Sequence, residues 1–316
     1  MKHNIKITII LLSMFILTQF IGLYVVNHYS STKLINGEVV NVTAPALPFG
    51  LETPEEADVQ CEINSLLDFF KCTEYLYSII IAFIFAVALL FFLTKFNAEF
   101  ILKLWFFIVV IIALGITLNA LIPEFSYSIL VVLIVVIPLA YIKIYKKEFL
   151  VHNITELFIY PGIAAVFVPI INIWIIVILL ILISIYDMWA VWHSGIMQKM
   201  AKYQIQKLNI FSGFFVPYIS KRQRQKLKKL TPSKRKKTKV KANVAILGGG
   251  DVIFPIITAG VMLKTFGMIP ALFVILGATL GLSYLFFAAE KKKFYPAMPF
   301  ISAGIFAGML VSYIIF

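Results

Sequence analysis

The chain has 316 residues, of which 61% are hydrophobic, and a formal net charge of +13 at pH 7. Soluble domains average about 45 to 50% apolar residues, so this composition excludes a soluble globular protein. Apolar runs of roughly the 20 residues needed to cross a bilayer recur along the whole length. We therefore expect most of the chain in one bundle of membrane helices, with no room for a large soluble domain.

The first apolar run, from Ile5 to Val26, has Lys2 before it and Lys6 at its start, and it is long for a signal peptide, whose core spans about 7 to 15 residues. No clear small-x-small cleavage site follows it, so we expect a retained span. Eight further spans are predicted near residues 75–93, 104–122, 129–146, 154–169, 172–194, 243–266, 268–288 and 296–315, which makes nine in all.

The division between the fifth span and the sixth depends on few residues. Only Val168, Pro169 and Asn172 separate them, and one continuous element there would reduce the total from nine to eight.

The distribution of basic residues predicts the orientation, because Lys and Arg are retained on the cytoplasmic face. With nine spans and the N-terminus inside, 25 of the 28 Lys and Arg residues fall inside and three fall outside. We therefore predict a multi-pass protein of the cell membrane with its C-terminus outside. Loop 195–242 is then cytoplasmic and loop 27–74 external.

Most of the positive charge comes from one segment, residues 199–241, which holds 15 basic residues and no acidic ones. Near an anionic membrane surface each basic side chain contributes about 1 kcal/mol of attraction. Anionic lipid is the expected partner of this loop, and nucleic acid is not. The loop divides the single membrane domain into a six-span part (1–208), the basic loop (209–242) and a three-span part (243–316).

The external loop contains eight carboxylates and both cysteines, Cys61 and Cys72. An oxidising compartment favours a disulfide between them, but spacing alone does not establish its geometry, so a bonded pair and free thiols both remain open. There is no HExxH motif, and the four histidines are scattered singly. No metal site or cofactor is expected.

Three carboxylates fall inside predicted spans. Glu156 lies three residues after Asn153, the spacing of a capping box at a helix start, and is expected to be structural. Asp187 and Asp251 have no such explanation, and an ionisable group within a span is a candidate functional residue. Asp187 lies about seven residues before the inner end of the sixth span, and Asp251 about eight residues after Asn243 at the start of the seventh. At 1.5 Å per residue both lie roughly 10 Å from the cytoplasmic face.

Two carboxyl groups in one plane can hold a single proton between them. That arrangement suits peptide hydrolysis, in which the ionised carboxylate activates a water and the protonated one polarises the scissile carbonyl. Three glycines, Gly248, Gly249 and Gly250, precede Asp251 and permit close approach of another backbone. Pro296 and Pro299 open the last span. Taken singly, the glycines are explained by helix packing and the prolines by a helix start.

Three motifs together resemble the presenilin and signal peptide peptidase family of intramembrane aspartyl proteases. They are Tyr186-Asp187 in one span, Gly248-Gly249-Gly250-Asp251 in the next and Pro296-Ala297-Met298-Pro299 opening the last. The family's signature is Tyr-Asp, Gly-x-Gly-Asp and Pro-Ala-Leu, so Met298 replaces a leucine. The resemblance implies an all-α polytopic bundle of nine transmembrane helices, presenilin-like, in which Asp187 and Asp251 are catalytic.

The resemblance also implies roles for the neighbouring residues. Tyr186 and the glycines would shape the site, while Pro296, Ala297, Met298 and Pro299 would line it and help bind an extended substrate. The substrates would be proteins with a transmembrane helix. The predicted orientation favours presenilin over signal peptide peptidase, and the small size resembles an archaeal presenilin homologue. We expect activity without obligate partner subunits.

The alternative class is a cation- or proton-coupled transporter, since buried acids and glycine-broken spans also mark ion pathways. Internal repeats with paired broken helices would then be expected, and none is evident. A prepilin-peptidase-like enzyme also uses a Gly-x-Gly-Asp motif, but the Pro-Ala-Met-Pro segment and the long basic loop favour presenilin.

Overall fold

A computed structural model of the chain describes residues 5–35, 38–42, 44–51, 74–96, 99–123, 127–146, 148–194, 212–218, 243–288 and 295–315. Cys61, Cys72 and most of the basic loop lie outside the described residues, so the predictions made for them stay predictions. Nine long helices run through the described part of the chain. They are α1 (Ile5–Tyr29), α2 (Glu74–Lys95), α3 (Glu99–Leu121), α4 (Ser128–Tyr141), α5 (Phe149–Phe167), α6 (Ile173–Trp189), α7 (Gly249–Phe266), α8 (Met268–Ala288) and α9 (Met298–Ile315).

Among the described residues, α1 and α3 to α9 are eight helices long and apolar enough to cross a membrane. This count includes the π-helical turns that extend α4 through Ile142–Lys146 and α6 through Ala190–Ser194. The separation of α5 from α6 at Val168–Asn172 is as predicted, because Asn172 caps α6 by accepting hydrogen bonds from the Trp174 and Ile175 amides. The multi-pass helical bundle expected from composition is therefore confirmed.

Short β-structure interrupts the bundle at both ends. Strands β1 (Thr32–Ile35) and β2 (Glu38–Asn41) form an antiparallel pair after α1, followed by a 3-10 turn at Pro48–Gly50. Strands β3 (Gly213–Tyr218) and β4 (Asn243–Gly248) pair antiparallel before α7, with Gly213 opposite Gly248 and Tyr218 opposite Asn243.

The prediction of a seventh span starting at residue 243 was therefore wrong at its beginning. Residues 244 to 247 alternate between half-exposed and buried, with Val244 and Ile246 turned outward and Ala245 and Leu247 turned inward. That period of two fits a strand, and three consecutive glycines at 248–250 disfavour extending α7 backwards. Asp251 is consequently the third residue of α7 rather than about eight residues into a helix.

The capping-box interpretation of Glu156 was also wrong. The helix begins at Phe149, so Asn153 lies inside α5 and not at its start. Glu156 instead forms a buried ion pair with Lys143, with 2.6 Å between Nζ and Oε1. The helix α5 begins with apolar side chains at residue 149, five residues before the predicted start at 154.

The core is built around α1, α5 and α7, which pack against one another, and α7 packs in turn on α8. Helices α8 and α9 approach to backbone contact along a row of glycines. A Cβ at Gly277 would collide with the Gly304 carbonyl, and one at Gly281 with the Phe300 carbonyl. Small residues permit such close packing in membranes, where apolar side chains gain little by leaving lipid. This contact fixes the start of α9 against the rest of the bundle.

Candidate active site

Asp187 lies in the last turn of α6 and is only 5% exposed. Its Oδ2 accepts a hydrogen bond of 3.1 Å from the amide of Met298, which is the first residue of α9. The Ala297 amide also donates a hydrogen bond to this carboxylate. The first amides of a helix have no partner within the helix and carry partial positive charge. The beginning of α9 therefore provides an anion site that holds the Asp187 carboxylate.

Asp251 occupies the first turn of α7, three residues after the N-cap Gly248. Its carboxylate accepts a hydrogen bond from the Gly248 backbone amide, the reach-back contact made by the acidic residue of a capping box. A Cβ at Gly248 would lie 3.1 Å from Asp251 Oδ2, closer than carbon and oxygen normally approach. Glycine at 248 thus leaves room for the carboxylate to fold back over the helix start.

The two carboxylates are brought together by contact between α6 and α7. Asp187 acts electrostatically on Asp251, and no other charged side chain acts on Asp251 to a comparable extent within the described residues. Each acid is held by backbone amides at a helix terminus, so neither needs a basic side chain as its partner. The site therefore contains two carboxyl groups, each held by backbone amides. When one is protonated and the other ionised, such a pair can serve as an acid and a base.

The three glycines differ in what surrounds them. A Cβ at Gly249 would lie 2.8 Å from Ser212 Oγ and 2.9 Å from the Tyr160 hydroxyl, so this glycine permits the close approach of β3 and α5. Gly250 is exposed, and a Cβ there would meet nothing nearer than Phe254 at 4.0 Å among the described residues. Packing explains Gly249 but not Gly250.

The proline segment meets the dyad through its backbone. Pro296 and Met298 are buried, Ala297 and Pro299 are partly buried, and α9 begins at Met298. The segment therefore lies against Asp187. Tyr186 differs: it is 47% exposed, and its ring centroid lies 6.3 Å from that of Trp189. Its side chain leaves α6 in a different direction from that of buried Asp187.

Several residues that connect these elements were not singled out from the sequence. The Ser184 hydroxyl donates to Leu180 O and lies 2.9 Å from the Ser302 hydroxyl, which joins α6 to α9 one turn from the Met298 contact. Gln19 on α1 donates from Nε2 to the Val252 carbonyl at 3.0 Å. In the sequence, each of these residues is visible only as a polar side chain inside an apolar span. That pattern indicates that the side chain has a hydrogen-bond partner but does not identify the partner.

Within the described ranges, His, Cys, Asp and Glu side chains form no group of three or more that would hold a metal ion.

Comparison with known proteins places the fold and the family. Two solved structures of a presenilin family intramembrane aspartate protease, in space groups C222 and P2, are similar to this chain, each with a TM-score of 0.58. The first shares 17% sequence identity and covers 98% of this chain and 99% of its own; the second shares 18% and covers 97% of each. At this identity the similarity establishes a common fold.

Among curated protein sequences, none matches the chain. The model of the family described as signal-peptide peptidase, presenilin aspartyl protease matches residues 39–316. That range includes both aspartates, the glycines and the proline segment. Neither the family match nor the structures support the transporter alternative. The match spans far more than half of the sequence, and the chain therefore belongs to the family of signal-peptide peptidase and presenilin aspartyl proteases.

Proposed function

We propose that Asp187 and Asp251 are the catalytic pair with which this intramembrane aspartyl protease hydrolyses peptide bonds in transmembrane segments, and that it is of the Gly-x-Gly-Asp type. The observation that supports this assignment is the packing of α6 on α7, which places the two carboxyl groups near enough to interact electrostatically. Two close carboxyl groups favour a state with one shared proton, which provides an acid and a base in one site.

In this mechanism the ionised carboxylate takes a proton from a water, whose oxygen adds to the carbonyl carbon of the scissile bond. The protonated carboxyl donates its proton to the carbonyl oxygen, giving a tetrahedral diol. Return of a proton to the amide nitrogen breaks the C–N bond and releases an amine and a carboxylic acid. The amides of Met298 and Gly248 hold the two carboxyl groups in position throughout.

The substrate must be extended, because peptide bonds inside a helix are shielded by its own hydrogen bonds and side chains. Strand β4 leads directly to Asp251 and offers an edge for such a segment. Pro217 has no N–H, so Pro217 and Val244 form a non-hydrogen-bonded pair, in which the N–H and C=O groups of each residue point away from the other strand. By alternation, the N–H and C=O groups of Val244 and Ile246 face away from β3. Both side chains are half-exposed, at 46% and 43%.

An extended substrate pairing with this edge would run towards the dyad and past the exposed Gly250. Main-chain hydrogen bonds from strand addition supply affinity without dictating sequence. Gly249 and Gly250 would leave space for the substrate backbone, and Pro296, Ala297, Met298 and Pro299 would line the other side. Tyr186 would shape the approach along α6.

We further propose the arrangement in the cell membrane that the charge distribution favours, with loop 195–242 cytoplasmic and loop 27–74 external. The basic segment 199–241 would bind anionic lipids of the inner leaflet. Cuts would then fall near the inner end of a substrate helix. The chain would act without obligate partner subunits.

The deciding experiment uses the purified full chain in lipid nanodiscs with a single-span substrate. Wild type should release cleavage products, and Asp187→Ala and Asp251→Ala should each abolish release while retaining the wild-type elution volume and helical circular dichroism. Cleavage retained in either variant contradicts the pair. Wild type that never cuts a helix, together with an ion flux lost in both variants, would instead favour a transporter.

A further inference from the structure

The edge of β3 that faces away from β4 is covered by side chains of α5. Asn153 donates from Nδ2 to the Phe215 carbonyl at 3.0 Å, and its Oδ1 accepts the Phe215 amide at 3.1 Å. One side-chain amide thus makes the pair of hydrogen bonds that a residue of a neighbouring antiparallel strand would make. Asn153 is buried, at 6% exposure.

A second contact on the same edge comes from His152. Its Nε2 lies 2.9 Å from the Gly213 carbonyl, which can only accept, so Nε2 carries the proton. Nδ1 is then the acceptor that faces Lys143 Nζ at 3.4 Å. Lys143 is held by Glu156 at 2.6 Å, and the two side chains are 5% and 1% exposed. The buried ion pair orients the imidazole that binds β3.

Within the described residues, these contacts leave β4 as the edge on which the sheet can grow. On β3, the Gly213 carbonyl and both backbone groups of Phe215 are bonded to α5, and Pro217 has no N–H to offer. The backbone N–H and C=O of Phe215 point away from β4, which agrees with the deduction that those of Ile246, its partner, point away from β3. Among the residues that the structure describes, the two strands therefore have one side fixed to the bundle and one side without a backbone partner.

A two-stranded sheet is marginally stable on its own, and β4 joins α7 through glycines that give it little stiffness. Burial of Phe214, Ala245 and Leu247 in the core fixes which face of the sheet points inward. The bonds from α5, a core helix that packs on α1 and α7, fix the position of the sheet along that face relative to Asp251. The distance from each pairing position on β4 to the two carboxyl groups then becomes a fixed property of the fold.

We propose that Asn153 and His152 act as positioning residues that hold β3 as a fixed edge, and thereby set the register of the substrate strand on β4 and the peptide bond that is cut. This inference rests on the proposed function, since it requires that a substrate strand pairs with β4. Neither residue contacts the reacting atoms. Their effect passes through β3 and β4 to the place where the substrate lies.

The test compares cut sites, which a purely structural residue would not move. Asn153→Leu removes both hydrogen bonds to Phe215 at similar volume. The matched control is Thr155→Val, which removes a buried hydroxyl from the same helix that bonds only to the α5 backbone at Val151 and His152. Products from a single-span substrate in nanodiscs are identified by mass spectrometry.

We expect Asn153→Leu to spread cleavage over additional bonds, each two residues from the wild-type cut site. A slip of two residues keeps every substrate side chain on its original face, whereas a slip of one would turn each to the opposite face. Thr155→Val should keep the wild-type cut sites and proportions. His152→Phe, which removes the Gly213 bond and leaves the ion pair intact, should shift cuts in the same way and provides the test if Asn153→Leu does not fold. Unchanged cut sites in the folded variants overturn the proposal, even if total cleavage falls.

Hydrogen exchange on substrate-free wild type gives an arm independent of catalysis. The Phe215 amide should exchange at least tenfold more slowly than the Ile246 amide on the open edge. Equal rates would show that α5 does not hold β3 and would overturn the proposal. A wild type that fails to cleave, or cleavage that survives loss of Asp187 or Asp251, contradicts the proposed function instead and leaves this exchange result to decide the α5 contact.

Discussion

The Met298 amide donates a 3.1 Å hydrogen bond to Oδ2 of Asp187, which joins the first residue of α9 to the last turn of α6. The donor belongs to the backbone, so every replacement of the Met298 side chain other than proline retains it. The leucine expected from the family signature and the methionine found here can both provide this contact. What the position must supply is a free amide at a helix start next to an apolar side chain.

Removing that amide should impair catalysis more than removing the side chain. Met298→Pro deletes the N–H at the first helical position, where proline is otherwise well tolerated. A hydrogen bond to a charged group is worth about 1.5 to 3 kcal/mol, so we expect roughly a 10- to 100-fold lower kcat than in Met298→Ala. Single-turnover kinetics on a single-span substrate measure this ratio. Equal rates in the two variants would mean that the amide does not assist Asp187.

The two aspartates should behave as one unit. Asp187→Asn and Asp251→Asn are each expected to reduce cleavage by at least about 10³-fold, and the double variant should lose no more, because residues acting together are strongly non-additive. Asparagine keeps the side-chain size, so thermal unfolding checks that the fold survives. Independent, multiplicative losses in the double variant would argue against a shared proton.

The open edge of β4 should be essential for substrate binding and dispensable for folding. Ile246→Pro removes an N–H that faces away from β3. The sheet already accepts a proline with this orientation at Pro217, opposite Val244. We expect a raised KM, with unfolding temperature close to that of Ile246→Ala, the control for the lost side chain. If Ile246→Pro matches Ile246→Ala in KM, the substrate does not pair at this edge.

Contact between α8 and α9 should control both stability and the position of Met298. Gly277→Val forces a branched side chain against the Gly304 carbonyl, and overpacking of this kind costs about 1 to 3 kcal/mol. Leu276→Val, on the lipid-facing side at 55% exposure, is the control and should change little. Thermal unfolding in detergent measures the difference. Similar unfolding temperatures for the two variants would contradict the close contact.

The Lys143–Glu156 pair should show strong coupling. Both side chains are almost fully buried, so removing one leaves an uncompensated charge, at a cost of about 3 to 5 kcal/mol. Lys143→Met and Glu156→Leu should each destabilise the protein, while the double variant should recover most of the loss. A double-mutant cycle of unfolding free energies gives the coupling. Additive losses would show that the two charges do not depend on each other.

The parts of the fold that could be predicted are those governed by local composition. Apolar runs, and the break between two of them at Val168, Pro169 and Asn172, located the helices, and the membrane class followed from hydrophobicity alone. The failures were at Glu156 and at residues 243–248, where a partner distant in sequence decides the outcome. Glu156 is explained by Lys143, and the strand at 243–248 by β3, from which it is separated by the basic segment.

The two acids and the glycine and proline segments that we propose as the site could be singled out from the sequence, because an ionisable group in an apolar span is conspicuous wherever the chain folds. Their surroundings could not. That Asp187 is held by the start of α9, Asp251 by Gly248, and β3 by Asn153 depends on contacts between elements far apart in the chain. Such contacts are set by how helices pack, and no local pattern encodes them. The sequence determined a membrane protein with carboxylates inside its apolar spans, and only the tertiary structure placed Asp187 and Asp251 on neighbouring helices, beside a strand edge that has no backbone partner among the described residues.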